Sequence, residues 1–473
     1  MEFKNLTPFP ALAFDGLDQR DIRFHTVVMR LTFHLQDDGT LGLAPEQTPL
    51  VTTDEYYGEL NQSSVRQESD FAPYKPHTDV IVNATAHAPS GKPTRHFDVR
   101  LLLRSTNKPA PLPEPPRGLN PLQAPSDKEV ANWQRAVSYA QSHPIAGAVL
   151  IDKTLTLSGE RWFRKKAWPF RLFWWTVKWA SLGIIRRNPW KLTAPQKLAT
   201  LPLRYEYAYG GDNKILVTDH AAHRVKKKDR LPQTAQADSA QETPAIAHSA
   251  YPQNTVGRGF AAPWYLRATR CKRIPAPQIA APNERMGRFG QAYTPRGLGI
   301  LCRAWQPRLP LAGAFDQAWL DQRHPYLPAD FDFAYWNAAP RDQQIAPHLD
   351  GDESITLTNL CPPATPGATR DHTGNTELTL TLPGHLPFVL VRFEDGRLGE
   401  LAAKLDTLII DTLPDRDNPE HRPSVVCVWR ATVASEPAVR VLEARMIAKA
   451  DVDAMREEAK AKAATASHSL NPA

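Results

Sequence analysis

Three carboxylates, Asp330, Asp332 and Asp342, lie in one aromatic-rich stretch that runs from Pro328 to Gln344. Glycoside hydrolysis needs little more than two acids roughly 5 to 10 Å apart. On an extended chain Asp330 and Asp332 would share a face, about 7 Å from each other. The same residues suit a second role, because an Asp side chain accepts hydrogen bonds from backbone two residues on and so closes turns. Phe331, Phe333, Tyr335 and Trp336 add more apolar surface than a loop usually carries. Pro328 and the Ala338-Ala339-Pro340 break exclude a long helix. The stretch therefore reads first as a compact ordered loop or single turn folded onto a core, with its aspartates capping turns. A partner-contact loop and an acid-based active site are the alternatives.

Other chemistry is sparse. Gly-x-Ser-x-Gly, His-Glu-x-x-His and P-loop patterns do not occur. Gly210-Gly211 reads as a turn because no Gly-Lys-Ser/Thr follows, and Gly257-Arg258-Gly259 reads as a tight turn because no amphipathic helix follows. Cys271, Cys302, Cys361 and Cys427 form no Cys-x-x-Cys pair, so no metal cluster is expected. Cys427, in the apolar run Val425 to Trp429, reads as a small buried hydrophobe. His25, His34, His77, His87 and His96 lack a repeating ligand spacing and read as solvated or satisfied side chains. Neither a cofactor nor a metal is expected.

The elements that must position these residues are mostly strands. Of 473 residues 42% are apolar and 23% charged, an ordinary globular balance, while 44 prolines favour loops and extended segments over helices. Ile22 to Leu35 alternates with period two and, through Asp37-Asp38-Gly39, leads to Leu41-Gly42-Leu43 as a hairpin. Asp79 to Ala86 and His96 to Leu103 read as a second strand pair, followed by a proline-dense excursion from Asn107 to Pro125 and a helix over Lys128 to Ser142. Val149 to Leu157 and Leu201 to Tyr209 read as strands, and Asp212 to Tyr251 as a mobile polar insert. Farther on, Glu353 to Leu360, Glu377 to Leu382, Pro387 to Phe393, Lys404 to Asp411 and Ser424 to Val433 read as a meander, with Glu394-Asp395-Gly396 as a hairpin turn. Val439 to Ile447 suits either strand or helix, and Asp451 to Ala464 reads as a helix before a disordered tail.

The fold class expected is mainly β, with antiparallel sandwich or partly open barrel sheets, long loop inserts and a few short helices. The body spans 1–435 and divides as an option into 1–210 and 251–435, with inserts at 105–145, 163–200 and 212–250. Residues 436–473 are expected to form a C-terminal helical extension and tail.

The formal charge of +7 is local in origin. Nine Lys and Arg residues and no acid lie between Arg161 and Lys191, so removing those nine from +7 leaves −2 for the remainder. A general nucleic-acid binder is disfavoured on that ground. Six of the twelve tryptophans fall in the same region, from Trp162 to Trp190. As a helix, Phe170 to Ile185 places Phe170, Trp174, Val177 and Ile184 on one face beside a stripe of Arg171 and Lys178. It is too short to span a bilayer, which takes about 20 residues. Phe170, Phe173, Trp174, Trp175, Lys178 and Trp179 are the candidate partner-binding residues, suited to an apolar client surface or, less well, a membrane surface. Docking of this helix on its own β body is the plainer alternative. Single-stranded nucleic acid is a further fit for such a mixture. The N-terminus lacks a basic region followed by an apolar core, so a cytoplasmic location is expected.

A resemblance rests on motifs spread along the chain. Pro295-Arg296-Gly297-Leu298-Gly299, Gln306-Pro307-Arg308, Gly313-Ala314-Phe315-Asp316 with Trp319, and the signature loop with Asp330, Phe331, Asp332, Tyr335, Trp336, Asn337 and Asp342 form its densest part. Pro73-Tyr74-Lys75-Pro76-His77-Thr78-Asp79, Gly159-Glu160-Arg161-Trp162, Pro202-Leu203-Arg204-Tyr205-Glu206 with Gly210-Gly211, and Asn254 with Gly257-Arg258-Gly259 extend it over most of residues 1–435. Together these motifs resemble a bacterial domain-of-unknown-function family encoded in type VI secretion clusters beside spike, PAAR-tip and effector genes. The resemblance implies a non-enzymatic adaptor or chaperone whose partners are an effector protein and a spike or PAAR-tip protein. A carboxylate-based hydrolase acting on a glycan and a peripheral membrane-binding protein are the competing readings.

Overall fold

The computed structural model describes residues 1–106, 128, 130–135, 147–166, 177, 179–180, 188–232, 243–284, 286–413, 422–448, 451 and 454. Strand Arg23–Leu35 shows how the sequence builds the sheets. Val27, Met29, Leu31, Phe33 and Leu35 point into the main core, while Val28 belongs to a second apolar cluster that includes Val428 and Ile81. Period-two alternation thus supplies two faces, both buried.

Strand Arg23–Leu35 lies second from the edge in a seven-stranded sheet ordered Ala11–Leu17, Arg23–Leu35, Ser424–Ala434, Lys404–Asp411, Thr78–Asn83 and Gln344–Ile345, with Leu41–Leu43 paired on Arg23–Leu35. Lys404–Asp411 and Thr78–Asn83 run parallel, and the other neighbours are antiparallel. A six-stranded antiparallel sheet is ordered Ile279–Ala280, Val149–Ser158, His96–Arg104, Ser354–Thr358, Thr376–Thr381 and Thr369–Arg370. The inward residues of these two sheets, among them Leu31, Cys427 and Leu408 on one and Leu101, Leu155 and Leu357 on the other, form one apolar cluster. That is a sandwich, driven together by roughly 1.5–3 kcal/mol for each large apolar side chain taken out of water. A four-stranded sheet, Glu2–Asn5, Val439–Ile447, Leu386–Phe393 and Leu398–Ala402, adds Val389, Val391, Leu442 and Ala444 to the same cluster. The protein is mainly β with few short helices, and no sheet of the described residues closes into a barrel.

Several expectations need correction. The strands over 78–83 and 96–104 do not pair; the first joins the seven-stranded sheet and the second the six-stranded one. The strands after residue 353 do not form a meander, because the chain passes from the six-stranded to the four-stranded and then to the seven-stranded sheet. The 394–396 turn does close a hairpin, between Leu386–Phe393 and Leu398–Ala402. Val439–Ile447, placed in the C-terminal extension, is a sheet strand flanked by Glu2–Asn5 and Leu386–Phe393. Asp212–Leu216 and Ala245–Ala250, expected in a mobile insert, form an antiparallel hairpin with a small core of Ile215, Ala222, Val225, Ala247 and Ala268. Its alanine-rich strand has too little side-chain contrast for alternation to show. The proline-dense run lies outside the described residues, as do much of the helix expected over 128–142, the polar middle of the insert and nearly all of the C-terminal helix. Strands from before residue 210 and after residue 251 interleave in both large sheets. Among the described residues no helix is long and apolar enough to cross a membrane.

Candidate functional site

Asp79 anchors the signature loop. It ends the Pro73 to Asp79 motif, is fully buried, and accepts hydrogen bonds from Lys75 Nζ at 2.9 Å, Asn337 Nδ2 at 3.1 Å, Ala338 N at 2.9 Å and Ala339 N at 3.1 Å. Lys75 Nζ also donates to Thr407 Oγ1 at 2.8 Å, and Asn337 Nδ2 to His77 O at 2.9 Å. Two sequence motifs far apart in the chain are thereby clasped. A buried carboxylate with four donors is well compensated, whereas any one donor left alone there would be costly.

The other signature residues take structural positions as well. Asp332 caps the Phe333–Trp336 turn by accepting from Ala334 N at 2.8 Å, and Asp330 accepts from Ala314 N at 3.0 Å. Phe331 is buried edge-on against Phe333 and Tyr335, and Trp336 packs edge-on against Tyr335. The Tyr335 carbonyl accepts from buried Arg308, the last residue of the Gln306-Pro307-Arg308 motif, at 3.0 and 2.8 Å. Glu68 completes that knot with Arg308 Nη2 at 3.0 Å. Burial would raise the Glu68 carboxyl, but the Arg308 and Arg303 charges hold it below its usual range. Asp342, at the loop's far end, accepts from Lys153 Nζ at 2.7 Å, and Gln343 bridges Lys153 to the carbonyls of Val80 and Leu298. The structure contains a compact ordered loop in which Asp332 caps the Phe333–Trp336 3-10 turn, while Asp330 and Asp342 tie the loop to Ala314 and Lys153 and cap no turn.

Asn254 makes a second clasp, donating to the carbonyls of Tyr205 at 2.8 Å and Tyr209 at 3.0 Å. Arg258 donates to Glu206 O at 2.7 Å. The run expected as one strand from Leu201 to Tyr209 is broken: Thr200–Pro202 is a strand, Tyr205–Tyr207 a 3-10 turn, and Tyr209–Gly210 pairs in parallel with Arg258–Gly259. Gly257 to Gly259 is therefore part of a bridge between strands and not a free tight turn. Gly210 has φ +155°, and a Cβ there would meet Asn254 O at 2.2 Å, so this position requires glycine.

These motifs surround a pocket of about 340 Å³. Lys153, Arg296, Arg341 and Asp342 supply its charges, and Tyr205 and Gln253 also line it. Burial brings the Lys153 amine down to about 8 against the opposing pull of Asp342. Lys153 escaped the sequence reading because a single lysine in an alternating strand carries no signal of the face it takes.

The Trp-rich segment is held at its base by a three-stranded antiparallel sheet in which Trp162–Lys165 lies between Trp190–Leu192 and Arg273–Pro275. Beside this stem Arg164, Lys165, Lys166, Lys272 and Arg273 line a hollow of about 880 Å³ with one acid, Glu160. The Arg273 guanidinium lies 3.6 Å from the Trp162 ring centre. Of the candidate partner-binding residues, Trp179 is 69% exposed. Phe170, Phe173, Trp174, Trp175 and Lys178 lie outside the described residues.

The histidines and cysteines have individual environments. His25 meets Asp15 at 2.7 Å and His96 meets Ser158 at 3.2 Å. Cys427 is buried, and burial pushes its thiol up; that of Cys361 is raised to about 11. Asp350, Asp352 and Glu353 bring their carboxylates within 4.8 Å of one another. Glu353 there accepts from the backbone of Asp350 at 2.7 Å and Gly351 at 2.9 Å, which makes it a loop brace.

The family described as "Uncharacterized protein conserved in bacteria (DUF2169)" matches residues 20–110 and 123–430. No curated protein and no solved structure matches the chain.

Proposed function

This chain belongs to the bacterial DUF2169 family, and from that premise we propose that it is a non-enzymatic adaptor or chaperone acting in the cytoplasm. In this reading it binds a type VI secretion effector and helps load it onto the spike or PAAR tip. The motif resemblance supplies the partners. Physical support comes from the stem: Trp162–Lys165 and Trp190–Leu192 pair at the base of the aromatic, cationic segment, and Trp179 beyond them is 69% exposed. Aromatic side chains and Arg are favoured at protein contacts, and a hollow lined by five cations and one acid suits an acidic partner.

The test is co-expression with the products of neighbouring genes, followed by affinity capture. Replacing Trp174, Trp175 and Trp179 together with Ser should abolish effector co-purification while leaving the melting temperature of the body nearly unchanged. Retained capture, or a collapse in stability that shows the segment to be core, would remove the support. Salt-sensitive binding to anionic liposomes without effector capture would favour a membrane-surface role instead.

A further inference from the structure

Lys153 is a buried amine on the wall of the 340 Å³ pocket, with 8% of its side chain exposed. Its Nζ donates to Asp342 Oδ1 and to Gln343 Oε1, both at 2.7 Å. Two acceptors engage two hydrogens, and no third acceptor meets the nitrogen among the described residues. A neutral amine, with two N–H groups and a lone pair, is fully satisfied by those partners, whereas an ammonium keeps one donor unmatched. Burial and the Arg296 charge both favour the neutral form, Asp342 opposes it, and the amine comes down to about 8. Tyr205 and Arg341 are the other titratable groups on the wall.

A desolvated lysine of this kind is the nucleophile that condenses with carbonyl carbon. The carboxylate 2.7 Å from it is close enough to relay the protons that the condensation moves. Arg341 is exposed and makes no ion pair among the described residues, so it is open to an anion. Pro295, Leu301, Pro307 and Pro340 give the rest of the wall an apolar character. The volume lies at the low end of the range for small-ligand sites, about 300–1,000 Å³, and so limits the occupant to a small molecule.

We propose that Lys153 is a covalent capture site for a small aldehyde or ketone with an apolar body and an anionic group, forming an imine at Nζ while Arg341 holds the anion. The amine lone pair attacks the carbonyl carbon, and Asp342 carries a proton from nitrogen to the new alkoxide. The carbinolamine then loses water as the second amine proton leaves nitrogen and the C=N bond forms. Amine and carbonyl give imine and water, with no change of oxidation state. The inference stands on the pocket and does not depend on the adaptor reading.

The test treats the full-length protein with 4-formylbenzoate or its uncharged analogue 4-formylbenzamide, traps imines with borohydride, and maps the labelled lysines by peptide mass spectrometry. Near pH 8 the benzoate should label Lys153 at least tenfold faster than exposed lysines such as Lys165 and Lys166. The Lys153 rate should level off above pH 8, whereas an ordinary lysine keeps gaining reactivity up to about 10.4. The benzamide should label Lys153 several-fold more slowly, and Arg341→Gln should bring the benzoate down to the benzamide rate without moving the pH profile. Labelling of Lys153 no faster than that of the exposed lysines, or a rate that follows their pH profile, overturns the proposal. Equal rates for benzoate and benzamide, or an unchanged benzoate rate in Arg341→Gln, overturns the anionic ligand.

Discussion

The carboxylate of Asp79 and the ammonium of Lys75 meet at 2.9 Å, with 0% and 7% of their side chains exposed. The same carboxylate holds Asn337, Ala338 and Ala339, so one ion pair fixes the strand Thr78–Asn83 to the signature loop. Asp79→Asn leaves a buried ammonium without its counter-charge and is expected to destabilise by roughly 3–5 kcal/mol. Urea unfolding measures it. Adding Lys75→Met should recover part of the loss, and a single variant within about 1 kcal/mol of wild type would show the clasp to be incidental.

Lys153 should make stability depend on alkaline pH. Its amine is brought to about 8 in the folded protein, chiefly by burial, against about 10.4 in an unfolded chain. Between those values the unfolded chain holds a proton that the native protein has shed, so stability rises with pH. Relative to Lys153→Met, wild type should gain about 3 kcal/mol between pH 7 and pH 10.5. Denaturant midpoints over that range check this, and a constant difference between the two proteins contradicts it.

Two glycines with positive φ should respond very differently to alanine. Gly396 sits at φ +87° in open space and should lose about 1–2 kcal/mol. Gly210, whose added Cβ would stand 2.2 Å from Asn254 O, should lose roughly 3 kcal/mol or more, because overpacking adds to backbone strain. Thermal melts of the two variants side by side decide it.

Asp330→Asn and Asp332→Asn should each cost about 1 kcal/mol or less, since both residues are exposed, Asp332 capping a turn and Asp330 tying the loop to Ala314 N. Effector capture should persist. Abolished turnover of a glycan at unchanged stability would instead favour the hydrolase.

Charge reversal at the stem, Lys165→Glu with Lys166→Glu, should weaken effector capture at least tenfold. The body's melting temperature should stay within about 2 °C, because both residues are exposed. Capture by wild type should weaken as ionic strength rises. Salt-independent capture would place the contact elsewhere.

Strands were legible where apolar residues alternate, as in Arg23–Leu35, or form a short continuous run, as in Ser424–Ala434. Partners were not, because Thr78–Asn83 has an apolar residue on each face, Val80 and Val82 on one and Ile81 on the other, and could have joined any sheet. The loop's compactness could be read from its prolines and aromatics. Its anchor could not: Asp79 looks like any polar residue opening a strand, and only tertiary packing sets it against Ala338 and Ala339. Lys153 and Gln253 were missed for the same reason, since nothing near either residue in sequence identifies the pocket they share.

Register in the seven-stranded sheet sets Leu31 opposite Cys427, and in the six-stranded sheet Leu101 opposite Leu357. A chain emerging from the ribosome therefore carries sticky, unzipped strands until its last third is synthesised. Closure of such distant pairs is slow, because the entropy of a very long loop is lost before any contact rewards it. Fragments cut near the middle should precipitate, and refolding yield should fall steeply with concentration, even though the finished sandwich has its apolar faces sealed.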